Sequence, residues 1–276
     1  FMSQMIQILR RNSLGAAQTV ISKDMINKIE IKLPPLKEQK IIVAKLDSLF
    51  YQIDKATQLV DQKILNNKKL VHSYLGEIFN KEKENWETNT LNDLCIVERG
   101  SSPRPIKQFL REEGVNWIKI GDTDIDGKYI KSTKQKISKE GSEKSRYVHP
   151  GDLVLTNSMS YGRPYIMATN GCIHDGWFVL RLNKGVDTEF FFYLLSSPLV
   201  QNQFNRLAAG AVVKNISSNL VKRTLIPLPP LSRQLEIRNK IMKMDNELEN
   251  YLNLLKSEKK ALIALKLATL STELRN

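Results

Sequence analysis

The sequence predicts an α+β chain: a mixed α/β domain joined to two long helices that pair as an antiparallel coiled coil. Three observations predict it. The phrase "IKLPPLKEQK" at Ile31–Lys40 returns as "IPLPPLSRQL" at Ile226–Leu235; a stripe of apolar residues follows each copy; and short apolar runs punctuated by Gly and Asp lie between them. Setting Gly15 on Gly210 and keeping the offset of 195 gives 12 identities in 32 columns. They include Gly15/Gly210, Ile21/Ile216, Ser22/Ser217, Pro34/Pro229, Pro35/Pro230 and Gln39/Gln234. A common strand–Pro–Pro–helix junction explains the prolines but not the upstream Gly-Ala and Ile-Ser matches, so the alignment favours a duplication.

In chain order, residues 1–35 read as the tail of a first domain: a helix ("SQMIQILRR"), a Gly-Ala turn, then a strand. Ile29, Ile31 and Leu33 alternate with Glu30 and Lys32, the period of a half-buried strand. Pro34 has no N–H for a ladder and ends the strand, and Pro35 suits the first turn of a helix. The same order closes a full domain before Pro230, so the beginning fits a fragment, a half-length form or a permuted arrangement.

The first long helix is expected over 36–85, with a stripe of Ile42, Leu46, Leu49, Ile53, Ala56 and Val60. The second is expected over 231–276, with Ile237, Ile241, Met244, Leu248, Tyr251 and Leu255; subtracting 195 superimposes the two sets. A sustained 4-3 spacing argues for a coiled-coil seam over a globular core face. A helix of some forty residues, uninterrupted until Gly76, is roughly 60 Å long. Residues 86–230 form the complete domain. "VNWIKIGDTDIDGKYI" and "PGDLVLTNSMSYGRPYIMA" read as strands joined by turns, and "DTEFFFYLLSSPLVQNQFNRLA" reads as helix.

Composition narrows the classes. With 41% hydrophobic and 26% charged residues the chain is of the globular type. No apolar run approaches the roughly 20 residues of a bilayer span, there is no signal-peptide pattern, and Cys95 and Cys172 imply no disulfide framework. A cytoplasmic protein without a membrane partner is therefore expected. The net charge of +13 favours a polyanion. Residues 128–146 concentrate that charge: Lys128, Lys131, Lys134, Lys136, Lys139, Lys144 and Arg146 stand against Glu140 and Glu143. A solvated loop and a phosphate-contacting segment account for this run equally well.

Catalytic patterns are missing. The chain has no G-x-G-x-x-G after a strand and no G-x-x-x-x-G-K-[ST], and its Pro-Pro pairs are flanked by leucines instead of the Asn/Asp and aromatic residues of an adenine methyltransferase. Cys172 and His174 lack a second ligand pair for zinc. "EIK", "EQK" and "EKK" resemble the end of a nuclease site but have no partner aspartate on a hairpin. No catalytic residue and no metal site are assigned.

The repeat and several domain phrases together resemble the specificity subunit of type I restriction–modification systems. The phrases are "NIS", the strand, "LPPL" and the following Gln across Asn215–Gln234, together with "ERGSSPRP", "WIKIGD", "PGDLVLTNSMSYGRPYI" and "FFFYLLSS". The likeness covers essentially the whole chain. It departs in having one complete recognition domain where family members typically have two. It implies a non-catalytic subunit that holds one half of a bipartite site in double-stranded DNA. Methyltransferase subunits would dock on the helical rod, restriction subunits would join them, and the rod length would fix the spacer between half-sites. S-adenosylmethionine, ATP and magnesium would sit on those partners, none on this chain.

Residue type and loop position nominate the DNA contacts. "SSPRPIK" offers Ser101, Ser102, Arg104 and Lys107; "TNSMSYGR" offers Asn157, Ser158, Ser160, Tyr161 and Arg163; Lys119, Lys214 and Asn215 complete the set. Asn and Ser at such positions also build turns. Two further classes share some of these features: an RNA-binding protein, which lacks support from interleaved aromatics, and a coiled-coil adaptor whose domain binds protein. Self-association of the chain into a symmetric reader is a variant of the specificity-subunit reading.

Overall fold

The computed structural model describes Lys23, Asn27 and residues 33–124, 127–157, 162–209 and 217–273. Most of the expected first-domain tail therefore lies outside the described residues, including its strand as far as Lys32 and the repeat positions Gly15, Ile21 and Ser22. Gly210 and Ile216 of the second copy lie outside them too.

The described chain runs from helix α1 (Leu36–Glu82) through a short 3-10 turn. Strands β1 (Glu87–Thr90), β2 (Cys95–Arg99), β3 (Leu110–Arg111), β4 (Val115–Ile118), β5 (Tyr129–Ile130) and β6 (Gln135–Ile137) follow. Then come β7 (Arg146–Val148), β8 (Leu153–Thr156), β9 (Pro164–Met167), β10 (Gly171–Ile173) and β11 (Trp177–Leu182). Helices α2 (Thr188–Ser196) and α3 (Pro198–Ala209), strand β12 (Leu225–Leu228) and helix α4 (Leu231–Glu273) complete it. The helical phrase of the domain thus divides at Pro198, which starts a new helix where its missing N–H costs nothing.

The chain forms two compact units, and the division falls inside both long helices. One unit holds α1 up to Asn67 and α4 from Glu249; the other spans Lys68–Leu248.

In the first unit the helices run antiparallel. Lys45 pairs with Glu273 at 2.5 Å, Asp54 with Lys266 at 2.6 Å and Asp61 with Lys259 at 2.6 Å, so positions rise on α1 as they fall on α4. Leu46, Ile53, Val60 and Leu255 are buried along the same stretch. Exposed pairs of this kind contribute only about 0.2–1 kcal/mol each, so the apolar seam carries the stability and the charges fix the register. Every expected stripe residue on α1 is buried or half-buried. On α4 the stripe changes phase. Tyr251 is 43% exposed, Leu252 is half-buried in its place, and the pattern continues through Leu255, Lys259, Leu262, Lys266 and Thr269. Two successive steps of four, Met244 to Leu248 to Leu252, are a stutter, which superposing the two stripes does not foresee.

The second unit is layered. In the sheet β2-β11-β8-β9-β5 the central strands are buried on both faces. Leu153, Leu155, Ile166, Phe178 and Leu180 face one core with α2, the end of α1 (Leu75, Phe79) and the start of α4 (Ile237, Ile241). Val154, Tyr165, Met167, Trp177 and Val179 face the second sheet, β3-β6-β4-β10-β7, through Ile118, Val148 and Ile173. Gly76 does not end α1: a Cβ there would lie 3.3 Å from Pro198, so the glycine lets α3 approach closely.

Both Pro-Pro junctions close alike. The Pro35 carbonyl accepts from Gln39 N, and the Pro230 carbonyl from Gln234 N, each at 3.0 Å. The two glutamine side chains donate Nε2 back to Pro34 O and Pro229 O, each at 2.8 Å. Gln234 does more: it donates to Gly185 O at 3.0 Å and accepts from Asp187 N at 2.9 Å, tying α4 to the turn before α2. Upstream, β12 pairs antiparallel with β1.

Candidate nucleic-acid interface

A groove of about 880 Å³ opens on the second sheet, lined by Ser102, Arg104, Ile106, Lys107, Trp117, Lys119, His174 and Asp175 among others. Its position follows from topology. Strands β4 and β10 are parallel neighbours, with Trp117 beside Cys172 and Ile118 beside Ile173. They therefore release Lys119 and His174–Asp175 at the same end of the sheet. The loop after β2 covers them. Gly100 N donates to Trp177 O at 2.8 Å and Ser101 N to Ile173 O at 3.2 Å. A Cβ at Gly100 would lie 2.1 Å from His174 O, so only glycine permits this approach.

Asp175 organises the groove. One carboxylate oxygen accepts from Ser102 Oγ at 2.7 Å and the other faces Arg104 Nη2 at 3.4 Å. Its carbonyl accepts from Asn157 Nδ2 at 2.9 Å and Arg99 Nε at 3.1 Å. The Ser102 hydrogen bond, opposed by partial burial, holds the carboxyl below the usual aspartate range. Burial lowers the pKa of His174, against the pull of Asp175, and so favours the neutral ring. Backbone N–H groups approach both ring nitrogens, Gly176 N at 2.8 Å from Nδ1 and Ile120 N at 3.3 Å from Nε2, the former the closer.

Of the residues nominated from sequence, Ser102, Arg104, Lys107 and Lys119 line this groove together. Ser101 borders it and donates to Lys144 O at 3.3 Å. Asn157 is buried and acts on the groove through the Asp175 carbonyl. Arg163 sits at the β8–β9 connection, where its N–H donates to Thr156 Oγ1 at 3.0 Å. Ser158, Ser160, Tyr161, Lys214 and Asn215 lie outside the described residues. Trp117, His174 and Asp175 are not among the nominations; their place depends on pairing two strands more than fifty residues apart, which no local pattern announces. The basic run is partly committed elsewhere. Lys128 is ion-paired with Glu189, Lys144 with Glu140 at 2.7 Å and Arg146 with Glu98 at 2.9 Å.

A groove lined by Arg104, Lys107 and Lys119 on a mixed α/β domain, in a chain that also carries an antiparallel pair of long helices, is the architecture to compare with known proteins. The chain belongs to the type I restriction modification DNA specificity domain family, whose model matches residues 1–64 and 83–257. It is 25% identical to the type I restriction enzyme MjaVIII specificity subunit of Methanocaldococcus jannaschii, over 87% of this chain and 61% of that protein. It is also 25% identical to the EcoKI specificity subunit of Escherichia coli K12, over 83% of this chain and 53% of that protein. The chain thus spans little more than half the length of these relatives. In fold it is similar to a chain of the solved structure "Structural basis underlying complex assembly and conformational transition of the type I R-M system", with a TM-score of 0.76 and 20% identity over 98% of this chain and 67% of that one. The HsdS subunit from Thermoanaerobacter tengcongensis matches with a TM-score of 0.56 and 20% identity, over 99% of this chain and 67% of that one.

Proposed function

We propose that the chain is a non-catalytic, sequence-specific DNA-recognition subunit of a type I restriction–modification enzyme. The groove holds one half of a bipartite site, and the paired helices carry methyltransferase subunits; restriction subunits join the same assembly. The observation that carries this reading is the convergence of Arg104, Lys107 and Lys119 on one groove in a family of DNA specificity domains. Cations gathered in one groove suit phosphates, and Arg104 also has the fork for a guanine edge. S-adenosylmethionine, ATP and magnesium belong to the partners, and the cytoplasm is the compartment. Among the described residues no helix is long and apolar enough to cross a membrane.

Methylation mapping of cells that express the chain with its methyltransferase tests this. A split recognition sequence that disappears with Arg104→Ala is expected; a methylation pattern indifferent to Arg104→Ala and Arg163→Ala would overturn the DNA assignment.

A second reading, self-association, is favoured by apolar side chains left exposed on the two-helix unit, such as Tyr51 at 69%, Leu59 at 57% and Leu267 at 64%. Light scattering of the isolated chain separates the two: a single-chain mass excludes self-association, and a doubled mass supports two identical readers.

A further inference from the structure

The groove contains one carboxylate among its cations, and a carboxylate is an acceptor with no proton to give. Resting on the DNA reading above, we propose that Asp175 is a specificity-determining residue that accepts a hydrogen bond from an exocyclic amino group on a base edge, adenine N6 or cytosine N4.

Three features of the groove carry this. First, Asp175 is prearranged. Ser102 Oγ holds one oxygen at 2.7 Å, and Asn157 and Arg99 fix the carbonyl of the same residue. Second, its other oxygen is available for exchange. The approach of Arg104 Nη2 at 3.4 Å is longer than a charge-assisted hydrogen bond, and the Arg104 and Asp175 side chains are 81% and 45% exposed. Third, the negative charge disfavours direct contact with a phosphate, while Arg104, Lys107 and Lys119 in the same lining attract the DNA backbone. A carboxylate drawn close to DNA by surrounding cations meets favourable partners only at donors. In the major groove those donors are the amino groups of adenine and cytosine. As Arg104 turns from Asp175 to the DNA, both members of the pair gain partners.

The test is selection of bound duplexes from a randomised pool by the chain assembled with its methyltransferase. Wild type, Asp175→Asn, Asp175→Glu and Arg104→Ala are compared. Asparagine keeps an oxygen for the Ser102 hydroxyl and adds a donor. It is expected to relax the preference for one base pair of the recognised word, in one orientation, by about tenfold or more, with the other positions unchanged. Glutamate, still an acceptor alone, is expected to keep the amino-bearing base at that position. The base enriched there by wild type tells adenine from cytosine. If Asp175→Asn selects the wild-type word, with affinity unchanged or raised uniformly, Asp175 is an electrostatic brake or a structural residue and the proposal fails. If Arg104→Ala also leaves affinity unchanged, the groove is not the DNA site and the broader reading fails with it.

Discussion

Gln39 and Gln234 occupy the same place in the two repeats, and each donates to the carbonyl of the first proline five residues back. Their identity in the alignment therefore has a local cause, closure of the helix start. Gln234 alone also holds Gly185 and Asp187, so the two sites differ in what they lose. Gln234→Ala leaves buried backbone groups unpaired and is expected to destabilise the domain by about 1–3 kcal/mol in denaturant unfolding; Gln39→Ala is expected to cost less. His174 gives a second outcome. Its folded pKa lies below the ordinary 6.5, so its contribution is present above that value and is lost as the pH falls toward the folded pKa. Stability is expected to drop below pH 6.5 in wild type, with a flatter slope in His174→Asn over the same range, read from unfolding midpoints. That Arg104 and Lys107 lie at one groove follows from their place in a single Ser-Pro loop, which the sequence displays directly. The place of Asp175 beside them was not legible, because Ser102, Arg104 and Asn157 reach it only through the fold.

At the scale of elements, the two helices show which patterns sequence transmits. A 4-3 stripe is a property of neighbours along one helix, so the seam positions from Ile42 to Val60 could be read directly. The phase change at Leu252 was hidden because Tyr251 and Leu252 are both apolar enough to serve, and packing against the partner helix decides between them. Leu255→Ala is expected to destabilise the paired helices by about 2–5 kcal/mol, whereas Tyr251→Ala has a small effect, as measured by thermal unfolding. Lys266→Glu sets a second negative charge against Asp54 and is expected to cost about 0.5–1 kcal/mol, recovered largely by Asp54→Lys in the same chain. Failure of the double exchange to recover stability would contradict the antiparallel register. The β8 run and the first four residues of β11 do not alternate because both their faces are buried, so neither face needs polar residues there.

At the scale of the whole molecule, a basic chain, a cationic groove and membership of a family of DNA specificity domains point the same way. Binding is therefore expected to weaken steeply with salt, in proportion to the phosphates that the lysines and arginines neutralise. For the proposed function the most direct measurement is the affinity of the chain, assembled with a type I methyltransferase subunit, for a duplex carrying the word that the assembly selects, taken across a salt series. Wild type is compared with the triple variant Arg104→Ala/Lys107→Ala/Lys119→Ala. A loss of about a hundredfold or more, with a salt slope shallower by about two, is the predicted result. An unchanged affinity and slope would contradict it.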